Sequence, residues 1–264
     1  MKTINFFFCL LFILSQVPFF AESQEGAGNI TAVNDYTYAF NLLPSITIPP
    51  SVKNIRFGAF RNNNLQSVII PENVVSIDAW AFAENELSEI AIPDSVTSIG
   101  QGAFSDNVLV KVLLPRYIES VNDMTFANNR ITSITLPPEI TIIGVSAFSN
   151  NSLREIKFPP ILQYIGEGAF ANNKLSNITI TPTIKHIGAY AFKNNKITEI
   201  KIPNNVTYIG PYAFIGNALK AITIGDNSAI NEWSFGESFY RCYTGTNRSG
   251  GTYILSNDTW MLKK

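Results

Sequence analysis

The segment LSEIAIPDSVTSIGQGAFSDNV, residues 87–108, is one period of a pattern that fills most of this 264-residue chain. Within it Ile90 and Ile92 alternate with Glu89 and Ala91, the period-two signature of a strand. Pro93 ends that strand, because proline has no N–H to give to a ladder. A second extended stretch follows at Val96 and Ile99, then Gly100, where the chain must turn sharply. From there to Asn107 there is room for at most one helical turn around Ala103 and Phe104. Outward from this segment the same letters recur every 22 residues: Phe60, Phe82, Phe104, Phe126, Phe148, Phe170, Phe192 and Phe214, with Tyr38 in the preceding slot. The asparagines from Asn41 to Asn217 keep step, and so do the prolines from Pro49 to Pro203, with Thr181 as the single interruption. Eight gapless units run from Leu43 to Ala218.

A unit this short cannot bury its apolar face alone, whereas stacked copies can. The repeat therefore predicts a solenoid. Successive strands, from Ile46-Ile48 to Ile222-Ile224, would form one parallel sheet at about 4.8 Å per coil, roughly 40 Å long. Leu43, Leu65, Leu87 and their equivalents would fill the core. The phenylalanines would make an aromatic spine, each worth about 1.5–3 kcal/mol on burial. The asparagines would turn inward and bond backbone groups at the bends, since buried turns must satisfy their polar atoms. Phe214, next to a divergent tail, would pack more loosely than Phe148.

The pattern L-x-x-I-x-I-P-x-x-V-x-x-I-x-x-x-A-F-x-x-N-x resembles the BspA-type leucine-rich repeats, over about two thirds of the chain. The resemblance implies an α/β leucine-rich-repeat solenoid, or horseshoe. A parallel sheet would lie on one face, and short extended or one-turn helical segments on the other. It also implies export and adhesion-like binding of host proteins, sometimes matrix glycoproteins. The family includes bacterial surface proteins and occurs in parasitic protozoa.

The ends depart from the repeat. Lys2, the apolar run Phe6–Leu14, the break at Pro18 and the small residues around Ala21-Glu22-Ser23 read as a cleaved secretory signal over residues 1–23. An uncleaved membrane anchor is the alternative, although the uncharged span from Thr3 to Ala21 is only marginally long enough. Residues 24–42 make an imperfect first coil, residues 43–224 the solenoid, and residues 225–264 a C-terminal cap. In the last segment Gly225 replaces the proline, and Trp233 and Phe235 miss the Phe column. Phe239, Tyr240, Tyr253, Ile254 and Trp260 would cover the open end as a small hairpin. The F-Y…G-T-Y…W arrangement looks like the tail of spirochaete relatives of the family. Removal of the signal would take Cys9 and leave Cys242 alone, so that stability must come from packing.

Composition excludes some functions. A net charge of −1 argues against nucleic-acid binding, which needs clustered Lys and Arg. No run of like charge forms an interaction tail. His186 is the single histidine, so no His–His or Cys–His cluster exists for a metal, a Ser-His-Asp or Cys-His site would have to be built around this one residue, and no cofactor is implied. It reads as a solvated position in a column with Tyr164 and Tyr208. Gly100-Gln101-Gly102 and Gly166-Glu167-Gly168 recur as turns rather than as a phosphate loop. The sequons, Asn29, Asn150 and Asn177 among them, matter only in a eukaryotic secretory pathway.

The outward strand positions vary while the core columns do not, as on a constant scaffold with a tuned surface. Ile69, Ala91 and Leu113 would form an exposed apolar stripe near the N-terminal end, a candidate contact site. Around it lie Glu89 and Lys111, and further along Glu155, Lys157, Glu199 and Lys201, whose bland reading is cross-strand ion pairs. Trp80, Tyr190, Tyr212, Tyr164 and Tyr208 are a second candidate. The sequence thus predicts a non-catalytic, exported, adhesin-like module for a matrix or envelope protein. The rival reading is a structural periplasmic or envelope protein that self-associates as a homo-oligomer.

Overall fold

The computed structural model describes residues 30–225 and 230–263. The secretory-signal reading over residues 1–23, the first part of the imperfect coil and the sequon at Asn29 fall outside them. The described residues form a stack of coils in which backbone bonds, strand pairings and ring contacts recur at an offset of one period. The Pro-to-Val turn shows how each coil bends. The N–H of Val52, Val74, Val96 and Val206 donates to the carbonyl of the proline three residues earlier, at 3.0–3.2 Å. Ile184 does the same to Thr181 at 3.1 Å, so the bend needs that carbonyl and not the ring.

The spine is continuous. Rings from Phe60 to Phe214 stack on one another with centroids 5.1–5.7 Å apart. Offset stacking at this distance adds to the area each ring removes from water. The asparagines seal the bend beside it. Asn129 Nδ2 donates to the carbonyls of Phe104, Phe126 and Ala127 at 3.0, 3.2 and 3.1 Å, and its Oδ1 accepts from the Leu109 N–H at 3.0 Å. Both N–H groups of the amide are used, shared among three carbonyls, and its oxygen accepts one bond; the same set recurs at Asn85, Asn107, Asn151 and Asn173.

The sheet differs from expectation in where it is strongest. The longer ladder belongs to the second extended segment. Ala32–Val33, Asn54–Ile55, Ser76–Ile77 and Ser98–Ile99 pair in parallel, and Ser120–Val121, Ile142–Ile143, Tyr164–Ile165, His186–Ile187 and Tyr208–Ile209 pair likewise. The gap between the two sheets has a local cause. Asn122 stands in the column of Arg56, Asp78, Gly100 and Gly144, and its side-chain amide takes the Ile99 carbonyl at 2.6 Å, a role filled in those coils by the backbone N–H. The Ile-x-Ile segment forms strands only at Glu89–Ala91 with Lys111–Leu113 and at Glu199–Ile202 with Ala221–Ile224. Between them the contact loosens. Arg154 N–H reaches Thr132 O at 3.3 Å and Ser176 N–H reaches Arg154 O at 3.4 Å, against 2.8 Å for Val110 to Ser88.

Two further expectations are corrected. The glycines after the second segment do not serve the turn. A Cβ on Gly166 would lie 2.5 Å from the Gly144 carbonyl carbon, so it is the approach of the coil beneath that excludes a side chain. The left-handed residue comes two places later and is often not glycine: Trp80, Ser146, Tyr190 and Tyr212 all have φ between 53° and 60°. The Ala-Phe stretch is accordingly a pair of tight turns, not a helical turn.

Phe235 does not miss the spine. It stacks on Phe214 at 4.9 Å, because the last coil is one residue short and Ser234 takes the alanine place. Phe214 is therefore packed on both sides and fully buried. The tail also holds an α-helix, Glu237–Gly245, which the hairpin reading did not contain. Phe239 and Tyr243, one helical turn apart, are its buried pair. The hairpin Gly251–Ser256 and Thr259–Leu262 lies antiparallel on Ala221–Ile224. Phe239 meets Phe235, Tyr253 and Trp260 edge-on at 5.2–5.3 Å and closes the core. Cys242 is half-buried and unpaired, with burial raising its thiol pKa.

Candidate functional site

The outward face of the Ile-x-Ile segment is built by alternation. Ile90 and Val112 point inward and are buried, which turns Glu89, Ala91, Lys111 and Leu113 outward. Ala91 is the register partner of Leu113, and Glu89 of Lys111. Ile69 is 85% exposed and Leu113 53%. Val110, which sequence reasoning passed over, is 48% exposed and widens the stripe. It sits at the second repeat position, ahead of the alternating strand, so a period-two reading does not assign it a face.

Glu155, Lys157, Glu199 and Lys201 also face outward. The cross-strand ion pairs expected of the charged residues do not form. Among the described residues the ion pairs within 4.0 Å are Arg56–Asp78, Arg61–Glu84 and Arg241–Glu237, and none involves Glu89, Lys111, Glu155, Lys157, Glu199 or Lys201. One period separates like or uncharged neighbours in the C-terminal coils: Glu155 pairs in register with Asn177, and Glu199 with Ala221. Where the ladder loosens, a shallow depression of about 760 Å³ opens, lined by Ser133, Arg154, Glu155, Lys157, Asn177 and Thr179 among others.

The aromatic candidates turn most of their surface toward each other. Tyr190 stacks on Tyr212 at 5.2 Å and Tyr212 on Trp233 at 6.3 Å. Trp80 leans over Gly102, where an added Cβ would come within 2.5 Å of the indole, and Arg61 lies over the same ring at 5.5 Å. These rings join coils rather than present a platform.

His186 is not simply solvated. Its ring lies between Tyr164 and Tyr208, at 4.4 and 4.5 Å and 13° from parallel to each. Burial holds its pKa below the usual 6.5. The neutral ring is the form the fold prefers, so its contribution is complete above that value and declines as pH falls toward the folded pKa. The melting temperature should drop more for the native protein than for His186→Gln as pH is lowered below about 6.5. An NMR titration that places the pKa above the usual value would show instead that attraction of the imidazolium to the two ring faces prevails.

Among the described residues no helix is long and apolar enough to cross a membrane, and no group of three or more His, Cys, Asp or Glu side chains is placed to hold a metal ion.

Residues 31–151 and 119–242 match the BspA type leucine rich repeat region, in six copies. Among solved structures, a leucine-rich repeat protein from Eubacterium ventriosum aligns with a TM-score of 0.51 at 19% identity, covering 77% of this chain and 59% of that one. Pneumococcal vaccine antigen PcpA aligns at 0.49 and 23%, covering 75% and 68%. A leucine rich cell surface protein from Faecalibacterium prausnitzii aligns at 0.48 and 22%, covering 74% and 63%. This chain thus spans less than two thirds of the Eubacterium and Faecalibacterium proteins, and at these identities the likeness is one of fold. No curated protein matches it in sequence.

Proposed function

Because the chain belongs to the BspA-type leucine-rich repeat family, whose solenoids are protein-interaction scaffolds, we propose that it is an exported, non-catalytic, adhesin-like module that binds a matrix or envelope protein. The contact is the outward face of the N-terminal coils. The observation that carries this reading is the stripe Ile69, Ala91, Val110 and Leu113, held outward on a packed scaffold, with the unpaired charges of Glu89 and Lys111 beside it. Apolar side chains ringed by polar ones supply the dry centre of an interface, and the charges set its register.

Binding of the full chain to a panel of matrix and serum proteins tests this. Saturable binding should weaken at least about tenfold on Leu113→Asp, the loss of more than 1 kcal/mol that a residue at an interface centre carries. The substitution lies on the surface, so the melting temperature should not move. Uniform failure to bind, or binding indifferent to Leu113→Asp, removes the reading.

A second copy of the chain could cover the same stripe. Solution mass separates the two: a stable oligomer broken by Leu113→Asp favours the self-associating envelope protein. Export rests on the character of residues 1–23, and protease access on intact against permeabilised cells tests whether the chain reaches the surface.

A further inference from the structure

The two halves of the outward face differ in charge. In the segments 64–69, 86–91, 108–113 and 130–135, which run from the asparagine bend onto the strand, the charged residues are Glu86, Glu89, Lys111 and Arg130, which balance. In the next four, 152–157, 174–179, 196–201 and 218–223, there are six cations, Arg154, Lys157, Lys174, Lys196, Lys201 and Lys220, against Glu155 and Glu199. All six cations are exposed. At about 4.8 Å per coil they line a strip roughly 15 Å long. None of them forms an ion pair within 4.0 Å among the described residues.

The strip's other groups show what it suits. Between the cations stand hydroxyls and an amide, at Ser152, Ser176, Asn177, Thr179 and Thr223. The depression of about 760 Å³ lies within the strip, and Arg154, Lys157, Ser176, Asn177 and Thr179 line it. Of the large exposed apolar side chains of this half, Ile161, Tyr164 and Tyr208 belong to other positions of the coil, and Met261 lies on the closing hairpin beyond the last coil, in register through Ile254 with Ala221. Within its four coils the strip therefore has no aromatic or aliphatic anchor of the kind that dominates protein interfaces. It also has no exposed ring on which a nucleic-acid base could stack.

We propose that the C-terminal half of this face is a second binding site, for a linear anionic polysaccharide, whose acidic groups meet the lysines and Arg154 while its hydroxyls bond the interleaved Ser, Thr and Asn side chains. The cations fall in three columns, Lys174 with Lys196, Lys157 with Lys201 and Arg154 with Lys220, which together spread positive charge over four successive coils, a band along which a polyanion can lie. The site is independent of the apolar stripe, so its test and that of protein binding fail separately.

The experiment measures binding of the full chain to heparin, with polyglutamate and poly(dT) as parallel probes. The triple variant Lys174→Gln, Lys196→Gln, Lys201→Gln is compared with Lys53→Gln, an exposed lysine outside the strip, and circular dichroism checks each fold. Heparin should bind most tightly and lose about a hundredfold in affinity between 50 and 200 mM salt, as release of counterions from several contacts requires. The triple variant should bind at least about tenfold more weakly, and Lys53→Gln unchanged. No heparin binding, or binding that the triple variant leaves intact, overturns the proposal. Equal or tighter binding of polyglutamate overturns it in favour of an acidic protein, and of poly(dT) in favour of a nucleic acid.

Discussion

Replacing Phe148 by alanine is expected to destabilise the protein by about 3–5 kcal/mol, the cost of a large buried ring and the cavity it leaves. Phe148 is fully buried and stacks on Phe126 at 5.7 Å and on Phe170 at 5.5 Å. Its loss therefore weakens two coil interfaces, and in a solenoid stability is close to a sum of such neighbour terms. Phe214→Ala should cost about as much, since Phe192 and Phe235 flank it at 5.2 and 4.9 Å. Tyr38→Ala should cost clearly less, because Tyr38 is only partly buried. Equilibrium unfolding of the three variants ranks them. If Phe148→Ala unfolds with the native protein, stacking along the spine does not hold the coils together.

Asn129→Asp is the second large effect. The substitution preserves shape and replaces the donating NH2 with an oxygen. A carboxylate there would face the carbonyls of Phe104, Phe126 and Ala127, the acceptors of the native amide. Each buried group left unpaired costs about 1–3 kcal/mol, and more when charge is present, so a loss of several kcal/mol is expected. Asn129→Ala should cost less, since it removes the donor without adding a charge. The aspartate is easier to tolerate protonated, which raises its folded pKa. The extra penalty is then present at neutral pH and shrinks as pH falls through that value. An Asn129→Asp protein as stable as Asn129→Ala at neutral pH would mean that the side chain is not held as a donor.

The parts of the fold legible in the sequence are those that repeat in step. Phe148 and Asn129 could be placed because their neighbours sit one period away and carry the same letter. The position of the better ladder was not legible, because both extended segments offer the same Val and Ile, and the choice depends on how closely backbones approach. Gly166 shows the same limit: its letter marks a tight place without saying whether the turn or the coil beneath makes it tight. Phe235 falls out of the sequence column because a one-residue deletion is invisible to a ruler of constant length. The helix Glu237–Gly245 had a signal in the four-residue spacing of Phe239 and Tyr243. At the surface, Ile69 and Leu113 stood out by alternation, whereas the cationic strip escaped a linear scan. Its members lie one to three periods apart and come together only when the coils are stacked.

The asparagine bonds carry a consequence for how such a chain changes length. Each one joins a residue to partners 20 and 25 positions earlier. Loss or gain of a single residue between them would put all later rows out of step with the rows before. Removal or duplication of a whole coil lets each bond re-form one place along. Viable length changes are thus quantised, and the one-residue slip before Phe235 falls where no further coil has to match. A lineage can lengthen or shorten the surface it offers by unequal exchange between units of equal length, leaving the closing hairpin untouched, much as a ratchet admits only whole teeth.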